Sequence, residues 1–206
     1  MDESELAQRV RQGDQDAFAR LVERCQGQVY NLALRLTGSP EDAADVAQEA
    51  FLKAWRGLPS FQWDCAFSTW LYRLTHNAAI DCLRRRAHQR GAESPLSLDE
   101  QENGLAALIP DPAPSPHQLL EHRELQTALA VGMAQLSTEH RQALALRLSG
   151  LSYAEIARTL DLEEGTVKSR IARARLSLRN YLKKTGNLPA PAASKRSERA
   201  KGGEDV

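Results

Sequence analysis

Apolar residues recur along most of this chain at the three- and four-residue spacing of an amphipathic helix. The alternation of apolar and polar residues that marks a half-buried strand is nearly absent. An all-α fold is therefore expected. The spacing predicts helices near 14–36, 40–56, 67–89, 117–135 and 137–149, with a shorter helix before Gly13.

Two short helices joined by a tight turn are predicted between residues 152 and 175. Ser152 and Glu155 have the spacing of a capping box, which starts a helix by satisfying its first backbone N–H groups. The polar residues 161–163 make the turn. Upstream, Ser39 is expected to cap a helix with Pro40 in its first turn, and Gly150 is a natural C-terminal stop.

The second of these helices has an apolar side and a basic side. At about 100° per residue, one stripe holds Val167, Ile171, Ala174, Leu178 and Tyr181, and the opposite side holds Ser169, Ala172 and Arg173, with Lys168, Arg170, Arg175 and Arg179 on the shoulders. Residues 165–184 contain seven Lys or Arg and no acid. The charge pattern by itself is also typical of an ordinary surface helix that faces solvent. The added capped helix and turn favour a helix that lies in a DNA groove, with bases at its centre and phosphates at its flanks.

Residues 91–116 differ in composition from the rest of the chain. They hold five prolines and five acids but no Lys or Arg. Such a segment cannot form a continuous helix and is expected to be an extended, flexible linker between two helical domains. Residues beyond 185 are expected to be disordered.

The segment 41–55 has more apolar surface than one core face needs. Ala43, Val46, Ala47, Ala50, Phe51 and Ala54 share one side of the predicted helix, which suffices for a core. The other side carries Asp45, Gln48, Glu49, Leu52 and Trp55. This set indicates either a protein docking surface with an aromatic anchor or packing of Leu52 and Trp55 on another helix of the bundle. The pattern does not decide between them.

Aromatic residues cluster in and next to the loop before the helix at 67–89. They are Phe61, Trp63, Phe67 and Trp70, and the helix that follows presents Arg73, Asn77, Asp81 and Arg84 at helical spacing. Aromatic rings beside arginines suit the binding of unpaired bases, where stacking contributes about 1–3 kcal/mol per base. The alternative is that some of these rings are core, and Trp70 is the strongest candidate for a structural role.

Composition limits the classes of function. The 206 residues have a formal net charge of zero, so nucleic-acid binding must come from local segregation of charge, such as four acids in 41–49 against three arginines at 84–86. Cys25, Cys65 and Cys82 are widely spaced and are expected to be reduced thiols. No metal or cofactor motif and no catalytic constellation appears, so an enzyme is not expected. No signal peptide or membrane span is apparent, and the cytoplasm is the expected location.

With these segments in hand, the chain resembles the extracytoplasmic-function (ECF) group of bacterial sigma-70 family sigma factors. The resemblance rests on GDQDAFARLVERC, VYNLALRLTGSPEDAADVAQEAFLKAW, FSTWLYRLTHNAAIDCLRRR and LSYAEIARTLDLEEGTVKSRIARARLSLRNYL. It implies a promoter-specificity subunit without its own catalytic site, which binds core RNA polymerase and is held inactive by an anti-sigma factor. Region 2 would span residues 1–90, the linker 91–116, region 4 residues 117–184 and the tail 185–206.

The resemblance also implies roles for single residues. The outward set Asp45, Gln48, Glu49, Leu52 and Trp55 would dock on the clamp coiled coil of the largest polymerase subunit. Capture of the single-stranded −10 element would fall to Phe61, Phe67, Arg73, Asn77, Arg84 and Arg85. Reading of the duplex −35 element would fall to Thr166, Lys168, Ser169, Arg170, Ala172, Arg173 and Arg175.

Two other classes of protein remain as alternatives at this point. A stand-alone helix-turn-helix regulator would share the basic helix but has no use for single-strand capture by the segment 61–86. A helical adaptor without DNA contact would leave the seven basic residues of 165–184 unexplained.

Overall fold

The structure, a computed structural model, describes residues 3–89 and 116–186, with side chains from residue 5 in the first range and from residue 124 in the second. Both described ranges are helical and contain no strand, which confirms the all-α prediction. The predicted linker 91–116 lies outside the described residues except for Pro116, with which α5 begins, and so does the predicted tail 185–206 except for its first two residues. The helices are α1 (Glu3–Arg11), α2 (Gln15–Thr37), α3 (Pro40–Gly57), α4 (Phe67–Gln89), α5 (Pro116–Ala134), α6 (Thr138–Leu148), α7 (Tyr153–Leu160) and α8 (Glu164–Lys184), with one 3-10 turn at Leu58–Ser60.

Capping side chains set where α2 and α3 begin. The Asp14 carboxylate accepts a hydrogen bond from the Ala17 backbone N–H at 3.0 Å, and α2 follows. Ser39 caps α3, with Pro40 in the first turn, as the sequence predicts. Between the two helices Gly38 has φ of 74°, a conformation that glycine adopts without steric cost. The chain therefore reverses sharply between α2 and α3.

The first half of the chain is a bundle in which α2, α3 and α4 pack on one another and α1 packs on α2. Its core is apolar and almost closed to solvent, with Leu21, Val29 and Leu32 of α2 against Val46 of α3 and Leu71 of α4. Because these side chains occupy one stripe of each helix, the opposite face of α3 remains available for contacts outside the bundle.

The second half is built around α8, which packs on α5, α6 and α7. The approach of α5 to α8 depends on Gly132, since a Cβ atom there would lie 2.5 Å from Leu178 Cδ1 and 2.8 Å from Tyr181 Cδ1. At the start of α7, Ser152 and Glu155 form the predicted capping box. Asp161, with φ of 54°, ends α7 and turns the chain into α8.

The two halves touch each other. Helix α6 lies against α2, and Thr69 Oγ1 on α4 donates a hydrogen bond of 2.9 Å to Glu155 Oε1 on α7. His76 of α4 is buried near Gln142 of α6. No local sequence pattern predicts these contacts, because they join residues far apart in the chain.

Candidate nucleic-acid and protein interfaces

The basic face of α8 is accessible over most of its length. Of the predicted core stripe, Val167, Ile171 and Ala174 are buried, and Leu178 and Tyr181 are partly buried. Lys168, Ser169, Ala172 and Arg173 are exposed on the other side, and Arg175 is exposed beside them. We call these five residues the α8 basic face. The exposed side of α8 thus carries basic and small side chains, as does a helix that lies in the major groove of DNA.

Arg170 and Thr166 are the least exposed of the residues predicted to contact the −35 element. Arg170 is only 22% exposed, and its Nη2 lies 3.0 Å from Glu139 Oε2 on α6. Thr166 is half-buried, and its carbonyl accepts a hydrogen bond from Ser169 Oγ at 2.9 Å. Arg170 therefore braces α8 against α6, and a phosphate would have to compete with Glu139 for it.

The outer face of α3 presents two large apolar side chains to solvent. Leu52 is 47% exposed and Trp55 is 43% exposed. Asp45 and Gln48 are exposed on the same face. The predicted core side of α3 is buried at Ala43, Val46, Ala47, Ala50 and Ala54, with Phe51 partly buried. We call Asp45, Gln48, Glu49, Leu52 and Trp55 the α3 outer face.

Trp55 is not detached from the bundle. Its ring lies 4.9 Å from that of Phe18 on α2, centroid to centroid. The packing alternative thus holds for one side of the indole. The other side meets solvent, and docking there stays a prediction. Leu52 has the larger exposed fraction and is the cleaner marker of a docking role.

Glu49, on the α3 outer face, forms ion pairs with two basic side chains. Lys53 Nζ lies 2.8 Å from Glu49 Oε1, and Arg85 Nη2 lies 3.4 Å from Oε2. The Lys53 hydrogen bond, with the charges of Lys53 and Arg85, lowers the pKa of Glu49. This acid is therefore held ionised and in place at the border between the α3 outer face and the basic end of α4.

The aromatic loop differs from the prediction in which rings are accessible. Phe67 is 2% exposed and packs edge-on against Phe18 and Trp70, so it belongs to the core and offers no face to a base. Phe61 is 8% exposed, because Trp70 stacks on it at 4.4 Å with an interplanar angle of 10°. The assignment of Phe67 to nucleic-acid binding is thus corrected, and Phe61 supports the loop from within.

Trp63 is the loop aromatic with the most unusual backbone. Its φ of 59° is rare for a bulky residue and implies local strain. The ring lies 4.7 Å from that of Phe61 and is only partly buried. Among the rings at 61–67, Trp63 is therefore better placed than Phe67 to meet a base.

The polar side of α4 continues from this loop. Arg73, Asn77, Asp81 and Arg84 are exposed along it, as the helical spacing predicts, and Arg85 is exposed beside them. Asn77 Oδ1 lies 3.3 Å from His76 Nδ1, which orients the amide, while Arg84 is only 3.9 Å from Asp81 across a solvated surface. This row offers one amide and three guanidinium groups to a ligand.

Other kinds of site find little support in the described part of the chain. There, no three His, Cys, Asp or Glu side chains come together as a metal site would require. Burial raises the pKa of the Cys65 and Cys82 thiols, which is opposite to what a reactive thiolate needs. None of the helices in 3–89 and 116–186 has the length and apolarity to cross a membrane.

Comparison with known proteins covers both halves of the chain. The families Sigma-70 region 2 and Sigma-70, region 4 match residues 21–89 and 126–178. The chain is 42% identical to the ECF RNA polymerase sigma-E factor of Escherichia coli K12 over 176 residues, which are 85% of this chain and 91% of that protein. It superimposes on CnrH in complex with the cytosolic domain of CnrY with a TM-score of 0.60 and 28% identity, covering 87% of this chain and 96% of that one. The sigma factor RpoE in complex with the anti-sigma factor NepR, from Bartonella quintana, gives a TM-score of 0.61 and 25% identity, covering 81% and 96%.

Proposed function

Because this chain belongs to the ECF sigma factors of the sigma-70 family, we propose that the surfaces described above bind core RNA polymerase and promoter DNA, so that transcription starts at specific sites. One observation carries the proposal. A single chain exposes large apolar side chains on α3 and a row of basic side chains on α8. A stand-alone DNA-binding regulator would need only the second of these.

The α3 outer face is the proposed polymerase contact. Leu52 and Trp55 would supply buried apolar area at the centre of the interface, since aromatic anchors carry much of the binding energy in such contacts. Asp45, Gln48 and Glu49 would surround them with polar groups. The family resemblance directs this face to the clamp coiled coil of the largest subunit.

The aromatic loop and the polar side of α4 are the proposed contacts to the −10 element. Trp63 would stack on an unpaired base, with Phe61 supporting it from below. Arg73, Asn77, Arg84 and Arg85 would then meet base edges and the backbone of the single strand. A strand held open in this way shifts the duplex equilibrium toward melting.

The α8 basic face is the proposed reader of the −35 element. Arg173 and Ser169 sit at its centre, where base edges are met, and Lys168 and Arg175 flank them toward the phosphates. Arg170 is proposed as a brace of this helix, on the strength of its ion pair with Glu139. We place region 2 at residues 1–90, the linker at 91–116, region 4 at 117–184 and a tail at 185–206.

Control by an anti-sigma factor is proposed from the solved relatives, one of which is a sigma factor bound to the anti-sigma factor NepR. The chain would act in the cytoplasm, where polymerase and DNA meet, as a specificity subunit with no catalytic activity of its own. An anti-sigma factor that covers the α3 outer face would exclude polymerase directly.

Transcription by purified core polymerase on a pool of genomic fragments tests the proposal. With this protein added, new RNA 5′ ends should appear at a defined set of sites that share one upstream sequence. Replacing Asn77 or Arg173 by Ala should weaken those starts while polymerase binding persists. RNA 5′ ends that are the same with and without the chain would refute the proposal.

A further inference from the structure

Tyr153 lies between two cations in the second half of the chain. Arg147 Cζ is 5.2 Å from the centroid of its ring, and Lys168 Nζ is 5.6 Å from the same centroid. Both distances fall within the about 6 Å over which a cation is attracted to an aromatic face. Arg147 belongs to α6, Tyr153 to α7 and Lys168 to α8, so one ring connects three helices.

The ring is held from the side of α6 and α7. Arg147 Nη1 donates a hydrogen bond of 2.9 Å to the Leu151 carbonyl, which fixes the guanidinium beside the ring. Tyr153 follows Ser152 directly, and the capping box of Ser152 with Glu155 fixes the backbone at that point. Contacts within α6 and α7 therefore help to set the position of the ring.

Lys168 differs from the other members of the α8 basic face in having restraints on two sides. Glu164 Oε2 lies 3.5 Å from its Nζ, and the Tyr153 ring lies on another side. Its side chain is still more than half exposed. The Glu164 carboxylate partly neutralises the positive charge of Lys168, which a phosphate would otherwise meet. The Tyr153 ring attracts the ammonium but carries no net charge, so it does not neutralise it.

We propose that Tyr153 is a positioning residue for promoter binding, which holds the Lys168 ammonium where a DNA phosphate will meet it. The inference rests on the proposed function of the α8 basic face. A free lysine loses rotamer freedom when it binds, and a lysine already held loses less, so the ring raises affinity without touching DNA. Removing the ring should weaken duplex binding about two- to fivefold, which corresponds to the 0.5–1 kcal/mol of an exposed cation–π contact.

The test measures binding of the full-length chain to a DNA duplex of 20 base pairs, about two helical turns. The duplex is selected beforehand from a random pool by its binding to this chain. Tyr153→Phe keeps the ring and should bind like wild type. Tyr153→Leu should bind two- to fivefold more weakly. Pentafluorophenylalanine at position 153 keeps the ring shape but removes the attraction for cations, and it should behave like Leu, so the test survives if the Leu variant melts early.

A double-mutant cycle separates positioning from a purely structural role. In a Lys168→Gln background the pentafluoro substitution should have no further effect, because no ammonium remains to be held. A loss that persists there, or a pentafluoro variant that binds like wild type, overturns the inference. Equal losses for Phe and Leu would also overturn it, since the hydroxyl would then be what DNA meets.

Arg173→Ala is the reference for the proposed function. If it weakens binding while the Tyr153 variants do not, only the role of Tyr153 is refuted. If wild type and Arg173→Ala bind the duplex equally, the proposed reading by α8 fails and this inference fails with it.

Discussion

Truncation of Leu52 and Trp55 to alanine distinguishes docking from packing on the outer face of α3. With 43% of the indole exposed, about 110 Å² of a side chain of roughly 250 Å² would become buried on docking. At about 25 cal/mol per Å², that area contributes about 2–3 kcal/mol. We therefore expect Trp55→Ala to weaken polymerase binding about 30- to 150-fold. Leu52, with 47% of a smaller side chain exposed, should lose about 1 kcal/mol, or about fivefold.

The same substitutions have different costs for the fold. The buried side of Trp55 packs on Phe18, so Trp55→Ala should also lower the free energy of unfolding by about 2–3 kcal/mol. Leu52→Ala should lower it by about 1 kcal/mol. Phe18→Leu is the matched control, because it removes the ring beneath Trp55 and leaves the outer face in place. It should reduce stability yet change polymerase affinity less than about threefold, within the usual range for sites outside an interface.

Titration of labelled protein with core polymerase measures the affinities, and thermal unfolding followed by circular dichroism measures stability. A Leu52→Ala variant that binds polymerase like wild type, together with a Trp55→Ala variant whose weaker binding is matched by Phe18→Leu, would assign both side chains to packing. The docking role of α3 would then be wrong.

Three further results are expected. Burial lowers the pKa of His76 below its ordinary 6.5, so His76 binds a proton more readily in the unfolded chain than in the folded one. The unfolding midpoint should therefore fall as the pH drops below about 6.5. The fall of the midpoint with pH should be smaller in His76→Leu. Gly132→Val should cost about 1–3 kcal/mol in chemical denaturation, because its side chain meets Leu178 and Tyr181, and an unchanged midpoint would contradict that packing. Ser152→Ala removes half of the capping box and should cost about 1 kcal/mol in the same assay, whereas Ser152→Asp should not.

Helix limits and core stripes could be predicted from the sequence because they depend on neighbours in the chain. The prediction of 40–56 for α3 differs from the observed Pro40–Gly57 by one residue, and α4 occupies 67–89 as predicted. Ser39 and the Ser152–Glu155 pair act on backbone groups within four residues. Local hydrogen bonds and apolar spacing therefore suffice for these features.

The aromatic loop shows where a composition argument fails. Aromatics beside arginines suggested single-strand binding for Phe67, but the structure buries it. The helical spacing indicates the burial of Phe67 better than the composition does. Phe67 lies one helical turn before Leu71 and therefore on the same side of α4, and Leu71 is fully buried. Trp63 could not be singled out in the same way, because its positive φ is a property of the folded loop.

Contacts between segments far apart in the chain could not be predicted from the sequence. The ion pair of Arg170 with Glu139 joins α8 to α6 and changes the role of an arginine that looked like a phosphate contact. The contact of the Tyr153 ring with Lys168 depends on the packing of α7 on α8. Such pairs depend on tertiary packing, which a single sequence without its relatives does not encode locally.

The contact between the two halves also bears on how the chain engages a promoter. The two halves are joined by the hydrogen bond of 2.9 Å from Thr69 Oγ1 on α4 to Glu155 Oε1 on α7. A promoter complex in which the two halves move apart would break this bond, at a cost of about 0.5–1.5 kcal/mol. The hydrogen bonds from Ser152 go to the other oxygen of Glu155, so α7 would stay capped when Thr69 leaves.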